Sequence, residues 1–273
     1  MSVEVEIICI GNELLIGKIA NTNLYWISTQ STALGANVKR VTVIQDIIEE
    51  IASTINEALA RKPRFIITTG GLGPTFDDIT FEGIAKALNQ RLVVNPSALG
   101  MVKTKCIEYA KKRQMPTEIE MTPSRVKMAT FPENTEPVVN PVGTAPGLRV
   151  QLDCTVLFSL PGVPREMEAI FTETIRPAIK EAVGSGSFCQ RSIFVEGIIE
   201  SQLAPWVTKV MTENAGVYVK SHYIASENKP RLELHMTMVA TQTPEPTKIL
   251  IKSVKQLSTL IIQNGGSVQE QPF

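Results

Sequence analysis

At 273 residues the chain has room for one or two domains, and 43% hydrophobic against 20% charged residues excludes a disordered polar chain. The 27 basic and 27 acidic residues cancel, which removes the global electrostatic pull that nonspecific nucleic-acid binding uses. No apolar run approaches the roughly 20 residues that span a bilayer, the opening MSVEVEIICIGNELL alternates like a strand rather than a signal peptide, and Cys9, Cys106, Cys154 and Cys189 lack a CxxC pair, so reduced thiols and a cytoplasmic location are expected.

In chain order, residues 3–10 predict a strand that feeds the loop from Gly11 to Gly17. Asn21-Thr22-Asn23 supplies N-cap chemistry for a helix over about 24–34, ended by Gly35. A second strand covers 38–44, and Asp46 caps a helix whose Ile48, Ile51, Ile55 and Leu59 share one face. Residues 64–69 form a short, continuously apolar strand of the kind buried on both faces of a parallel sheet. Helices follow over about 79–88 and 96–113. The Pro-, Thr- and Asn-rich stretch 115–146 reads as ordered loop with a strand candidate at 136–140, where Val138, Val139 and Val142 require burial. A strand at 155–160 then runs into Pro161-Gly162-Val163-Pro164-Arg165-Glu166-Met167 and a helix to about residue 182.

Strands and helices alternating through short connections predict a mainly parallel sheet with helices on both faces, a three-layer α/β/α domain over 1–184. The Gly-Ser run at 184–187 reads as a hinge. After it, strand (188–195), helix (200–212), two strands (217–224 and 231–239), helix (246–262) and an extended piece near Val268 give the β-α-β-β-α-β order of a small split βαβ domain over 185–273.

Ligands on open α/β sheets sit beyond the carboxyl ends of the strands, and here three loops meet that description: 11–17, 70–78 and 161–165. In TTGGLGPTFDDIT, Gly70, Gly71 and Gly73 let backbone N–H groups approach an anion, and the next helix adds its positive end. Asp77 and Asp78 at the same place would repel a bare phosphate; they fit if a divalent cation bridges them to it, or if one only caps the helix. No GK[ST] follows, so this is not a P-loop; the first strand leads into GNELLIG rather than GxGxxG, which disfavours a dehydrogenase. No GxSxG elbow supports a serine hydrolase. NPVGTAPG, with Asn140, Gly143 and Thr144, and LPGVPREM, with Pro161, Gly162, Pro164 and Arg165, add rigid turns; Thr144 contributes a hydroxyl and Arg165 a planar fork suited to phosphate. Read alone, each serves equally as a structural turn. His222 and His235 fall in strands of the small domain and read as structural, and Trp26 and Trp206 read as core or interface residues.

GNELLIGKIANTN, the Asp of VIQDI, TGGLGPTFDDIT, NPVGTAPG and LPGVPREM, in that order over about residues 3–182, resemble the N-terminal domain of the CinA (competence/damage-inducible) family, which is related to the molybdopterin-binding domains of molybdenum-cofactor biosynthesis. YVKSH (218–222) and PRLELHMT (230–237) are similar to the KH-like domain that follows it in that family. The resemblance implies metal-dependent hydrolysis of the pyrophosphate of ADP-ribose, with Mg, Mn or Co and also a monovalent cation as candidate cofactors. In the related molybdopterin proteins two aspartates assist transfer chemistry; the matching positions are Asp46 and Asp78. The chain stops at Phe273, so the C-terminal domain that deamidates nicotinamide mononucleotide in full-length CinA is expected to be missing. Asn12 stands where many relatives carry Thr.

These readings place Asp46 and Asp78 as catalytic acids and Asp77, Asp78 and Glu13 as metal ligands, since hydrolysis of a phosphoanhydride needs a cation and an activated water. Gly11, Asn12, Glu13, Gly70, Gly71, Leu72, Gly73, Thr75, Asn140, Gly143, Thr144, Pro161, Gly162, Pro164 and Arg165 are the expected ligand-binding set. Asp46 as an N-cap, and Glu13 as a loop brace, account for those two acids equally well. The competing reading is a molybdopterin-binding or adenylyl-transferring protein, or a nucleotide binder without catalysis. Nucleic-acid binding by the small domain is disfavoured because no GxxG follows residue 188; dimerisation, as a homodimer, or covering the site is the role expected of it.

Overall fold

A computed structural model describes residues 3–184, 187–224, 231–240 and 245–270. Ser185 and Gly186 of the expected hinge, and Pro230 of the PRLELHMT motif, lie outside these. The chain divides into two compact units, parting at Gly184.

In the first unit the strands are β1 (Glu4–Ile10), β2 (Asn37–Ile44), β3 (Phe65–Thr69), β4 (Leu92–Val94), β5 (Thr130–Pro132), β6 (Glu136–Val138), β7 (Gly147–Leu152) and β8 (Thr155–Leu160). Interleaved with them run α1 (Asn12–Leu15), α2 (Thr22–Ala33), α3 (Ile48–Ala60), α4 (Thr80–Ala87), α5 (Pro96–Lys112), α6 (Pro123–Lys127), α7 (Pro164–Ile170) and α8 (Arg176–Val183), the last two joined through a π-helical turn, Phe171–Ile175. The main sheet has the order β2-β1-β3-β8-β7-β6. β2, β1, β3 and β8 are parallel, and β7 and β6 close one edge antiparallel. The mainly parallel α/β sheet is therefore as the sequence predicts.

Every residue of β3 and β8, and all of β1 after Glu4, is buried. Glu6 in β1 is 3% exposed and survives there because Arg61, at the end of α3, meets it with both arms of its guanidinium at 2.8 and 2.7 Å. Helices α3 and α4 lay Ile51, Ile55, Phe81 and Ile84 onto Ile8, Ile10 and Ile66 of the sheet. That burial, at about 25 cal/mol per Å² of apolar surface, anchors the strand ends that carry the loops.

Three expectations are corrected. Asp46 does not cap α3: the N-cap is Ile47, without a side-chain bond, and the Asp46 carboxylate turns to another partner. Val139 and Val142 are more than half exposed, and only Val138 of the three is buried. The stretch 115–146 also holds α6 and β5, and β7 follows it, none of which the apolar pattern announces.

The second unit contains β9 (Ser187–Glu196), α9 (Glu200–Glu213), β10 (Val217–Ile224), β11 (Arg231–Ala240), α10 (Pro246–Gln263) and β12 (Ser267–Glu270). Its antiparallel sheet has the order β10-β11-β9-β12, the arrangement of a split βαβ fold. Leu203, Val210, Leu250, Val254 and Leu257 of its two helices close a separate core on Ile193, Leu234 and Met236. His235 bonds Ser192 across the sheet at 3.0 Å. Among the described residues no helix is long and apolar enough to cross a membrane.

Candidate functional site

The β3 strand ends in a turn that only glycine permits. Gly70 and Gly71 hold φ of +111° and +68°, a region where side chains clash with their own backbone. A Cβ on Gly70 would stand 2.1 Å from the Ile10 carbonyl oxygen at the end of β1. Thr80, the first residue of α4, pins the turn: its hydroxyl donates to the Gly70 carbonyl at 2.8 Å, and its N–H to the Gly71 carbonyl at 3.1 Å. Among the described residues, no acceptor is found for the Leu72 and Gly73 N–H groups.

The acids lie beside this turn. Asp46, just past β2, accepts the Asn12 N–H at 2.8 Å and so ties the second strand's loop to the first. Burial pushes the Asp46 carboxyl above the usual aspartate range; the Asn12 bond opposes this, and the charges of Glu13 and Asp77 add to it. Asp78 accepts the Thr75 N–H at 2.8 Å. The Thr75 hydroxyl lies 2.5 Å from both Asp77 and Asp78. It owns one proton and can satisfy only one carboxylate at a time. That bond, with Lys127 close by, holds Asp77 below the ordinary range. Lys127 also donates to the Thr75 carbonyl, fastening α6 to the loop.

Asn140 uses every hydrogen-bonding position it has. Its amide donates to the Ala145 carbonyl at 2.8 Å and to Glu166 at 2.6 Å, and its oxygen accepts the Val142 and Gly143 N–H groups at 3.1 and 2.7 Å. Only 3% exposed, it shapes NPVGTAPG from within. A Cβ on Gly143 would lie 1.9 Å from the Glu166 carboxylate. Across the site, Thr69 donates to the Pro161 carbonyl at 3.0 Å, and a Cβ on Gly162 would come within 3.4 Å of the Gly70 Cα. The β3 and β8 turns are thus in contact.

These turns enclose a cleft of about 740 Å³ at the carboxyl ends of the parallel strands. Of the residues singled out in the sequence, Gly11, Glu13, Asp46, Gly70, Gly71, Leu72, Gly73, Thr75, Asp77, Asp78, Thr144, Pro161 and Gly162 line it. Asn12 supports it through its backbone bond to Asp46, and Asn140 and Gly143 through the loop they build. Pro164 lines a neighbouring hollow instead. Arg165 does not line the cleft; it lines a shallow depression with Trp26 and Glu168. Sequence reasoning missed Tyr109, Ser124, Arg125 and Glu166, which also line the cleft. Thr122-Pro123 ahead of Arg125 is an N-cap and N1 pair that could have flagged α6; Tyr109 carries no such signal.

The carboxylates of Glu13, Asp46, Asp77 and Asp78 in this lining offer oxygen donors, the right chemistry for a hard divalent cation. Among the described residues, however, no group of three or more His, Cys, Asp or Glu side chains is arranged to hold one.

A mainly parallel α/β sheet whose strand-end glycine turns and acids converge on one cleft defines an α/β domain of the doubly wound kind. The family model for a probable molybdopterin binding domain matches residues 6–181, and the chain belongs to that family. Among its relatives, a protein of Aeropyrum pernix is 41% identical over 266 residues, covering 97% of this chain and 96% of its own. A protein of Pyrobaculum calidifontis is 43% identical over 256 residues, 93% of this chain and 94% of its own. The crystal structure of the protein CinA from Thermoplasma acidophilum superposes with a TM-score of 0.58 at 38% identity, covering 65% of this chain and 98% of that one. The fold is CinA-like.

Proposed function

We propose that the cleft binds a phosphate-bearing pterin or nucleotide, in the manner of a molybdopterin-binding protein. The observation that carries this reading is the meeting of two glycine turns, at Gly70–Gly73 and Pro161–Gly162, on one cleft in a chain of the molybdopterin-binding-domain family. The free N–H groups of Leu72 and Gly73 would take the phosphate oxygens, and Arg125 supplies a cation in the same lining. Thr144 and Tyr109 line the same cleft and would meet the rest of the ligand.

A second reading rests on the acids. Glu13, Asp46, Asp77 and Asp78 line the same cleft, which suits cation-assisted hydrolysis of a phosphoanhydride such as that of ADP-ribose. Asp77, Asp78 and Glu13 are the groups that would hold the ion. The family comparison favours the binding reading over this one.

Calorimetric titration with molybdopterin, ADP-ribose and pyrophosphate, each with and without Mg²⁺ or Mn²⁺, tests both. Binding of molybdopterin or ADP-ribose without added metal, and without product release, supports the first reading. Release of AMP and ribose 5-phosphate only with the cation, lost in Asp77→Asn/Asp78→Asn, establishes the second. Binding of none of the three probes under any condition overturns both.

A further inference from the structure

The cleft of about 740 Å³ has room for far more than a phosphate, since sites of about 300–1,000 Å³ hold whole drug-sized ligands. The glycine turns supply one part of its lining. Helices α5 and α6, with Thr122 just ahead of α6, supply another through Cys106, Tyr109, Thr122, Ser124 and Arg125.

Tyr109 is the only aromatic side chain among the described residues that line this cleft. It follows Cys106 by three residues, so the two share one face of α5. Ala98, Val102 and Ala110 of the same helix are buried, whereas Tyr109 is 53% exposed; the core does not use its ring. Arg113, one turn further on, does. Its guanidinium stands 4.6 Å from the centre of the Tyr109 ring, a cation–π contact that covers one face. With that face occupied and half of the residue still open, the other face and the rim are what Tyr109 has left to offer a ligand.

The chemistry of this arrangement selects its occupant. Arg113 already places a cation on the ring, so a cationic group on the free face would meet a like charge behind it. An anion would meet the negative face of the ring's quadrupole. A neutral flat ring has neither handicap, and stacking takes two apolar faces out of water at once. We infer that Tyr109, backed by Arg113, is the platform on which the planar heterocycle of the ligand stacks, a purine or a pterin, while its phosphate lies at the glycine turns. Ser124, exposed in the same lining, has a hydroxyl that can give or accept a hydrogen bond at the edge of that heterocycle. Tyr109 then separates ring-bearing phosphates from ringless ones, and Arg113 is a positioning residue that acts through it. This inference rests on the reading of the cleft as a phosphate-ligand site.

Tyr109→Leu removes the ring and keeps an apolar side chain; Tyr109→Phe keeps the ring and removes only the hydroxyl. Both are expected to fold like the wild type, because Tyr109 is exposed, and their melting temperatures check this. Molybdopterin and ADP-ribose, which carry a planar heterocycle, and ribose 5-phosphate and pyrophosphate, which do not, are titrated into all three proteins. Each ring-bearing probe that the wild type binds is expected to bind Tyr109→Leu about tenfold or more weakly, the worth of one stacked base, and Tyr109→Phe within about twofold of the wild type. Ribose 5-phosphate and pyrophosphate keep their affinity for both variants. Equal loss of every probe in Tyr109→Leu means that Tyr109 only shapes the cleft, and overturns the inference. Unchanged binding of the ring-bearing probes overturns it too. So does a loss in Tyr109→Phe as large as that in Tyr109→Leu, which assigns the contact to the hydroxyl. A wild type that binds pyrophosphate but neither ring-bearing probe keeps the phosphate site and sinks the stacking platform. If the wild type binds none of the probes, the cleft reading itself has failed, an outcome distinct from the others. A crystal structure of the complex with the heterocycle away from the Tyr109 ring would refute the inference without any variant.

Discussion

Asp46 is the residue where position and charge pull against each other. It is needed as an acceptor, because the Asn12 N–H points at it, yet burial and the neighbouring Glu13 and Asp77 disfavour its charge. With its folded pKa raised, the folded protein holds a proton between the ordinary aspartate value of about 3.9 and the raised one, where the unfolded chain has lost it. Stability therefore falls as pH rises through that window, and the penalty persists above it. Asn in its place keeps an oxygen for Asn12 and carries no charge. The melting temperature of Asp46→Asn is expected to exceed that of the wild type at pH 7, with the two converging below about pH 4; a gap constant across the acid and neutral range would refute this. Asn140 behaves in the reverse way. Asn140→Asp sets a carboxylate against the Ala145 carbonyl and Glu166, where an amide now donates, and should cost about 3 kcal/mol at pH 7. Urea denaturation should show part of that cost recovered in acid, as the introduced carboxyl gains a proton. The sequence identifies both residues as important but not their work. An Asp before a helix looks like a cap whichever way its carboxylate turns, and an Asn in a turn motif looks like a ligand group when it is the internal strut.

At the scale of elements, the legible parts are those whose environment is uniform. β3 and β8 are buried on both faces and read as near-continuous apolar runs, and β1, buried after Glu4, reads as a strand through its alternation and Ile-rich end, so the ends of all three can be read to within a residue or so. β7 lies between β8 and the short edge strand β6 and alternates in GLRVQL, and β4 and β5 have three residues each; so little sequence carries no period. The π-helical turn between α7 and α8 breaks no apolar pattern and leaves no trace in the sequence. Glycines divide the elements into rigid and forgiving places. Gly70→Ala would drive a Cβ into the Ile10 carbonyl, 2.1 Å away at positive φ, and neither backbone can yield without parting β1 from β3. A loss of more than about 3 kcal/mol is expected, along with loss of ligand binding. Gly100, inside α5, has open space around its missing Cβ and no positive φ. Gly100→Ala should stabilise by about 0.5–1 kcal/mol, read from the shift of the urea midpoint, and should leave binding as it is. If both substitutions cost the same, the close approach at Gly70 is not what makes that turn glycine.

For the whole molecule, the decisive matter is where the cleft's residues come from. All of them fall between Ile10 and Glu166, within a unit whose core joins Ile8, Ile66 and Leu157 of the sheet to Ile51, Phe81 and Val102 of the helices. The second unit closes its own core around Ile193, Leu234 and Leu257. Two cores of this kind are two folding units. The Thermoplasma acidophilum structure makes the same point, since 65% of this chain suffices to cover 98% of it. A fragment of residues 1–184 is therefore expected to unfold cooperatively and to bind pyrophosphate with the affinity of the full chain, within about twofold, since about 1.4 kcal/mol would be needed for a tenfold change. The comparison should be made by calorimetry on both proteins under one buffer. If the fragment folds, as its circular dichroism and melting would show, and yet binds more than about tenfold more weakly, the second unit contributes to the site. That result would favour covering the site over dimerisation alone as the role of residues 185–273.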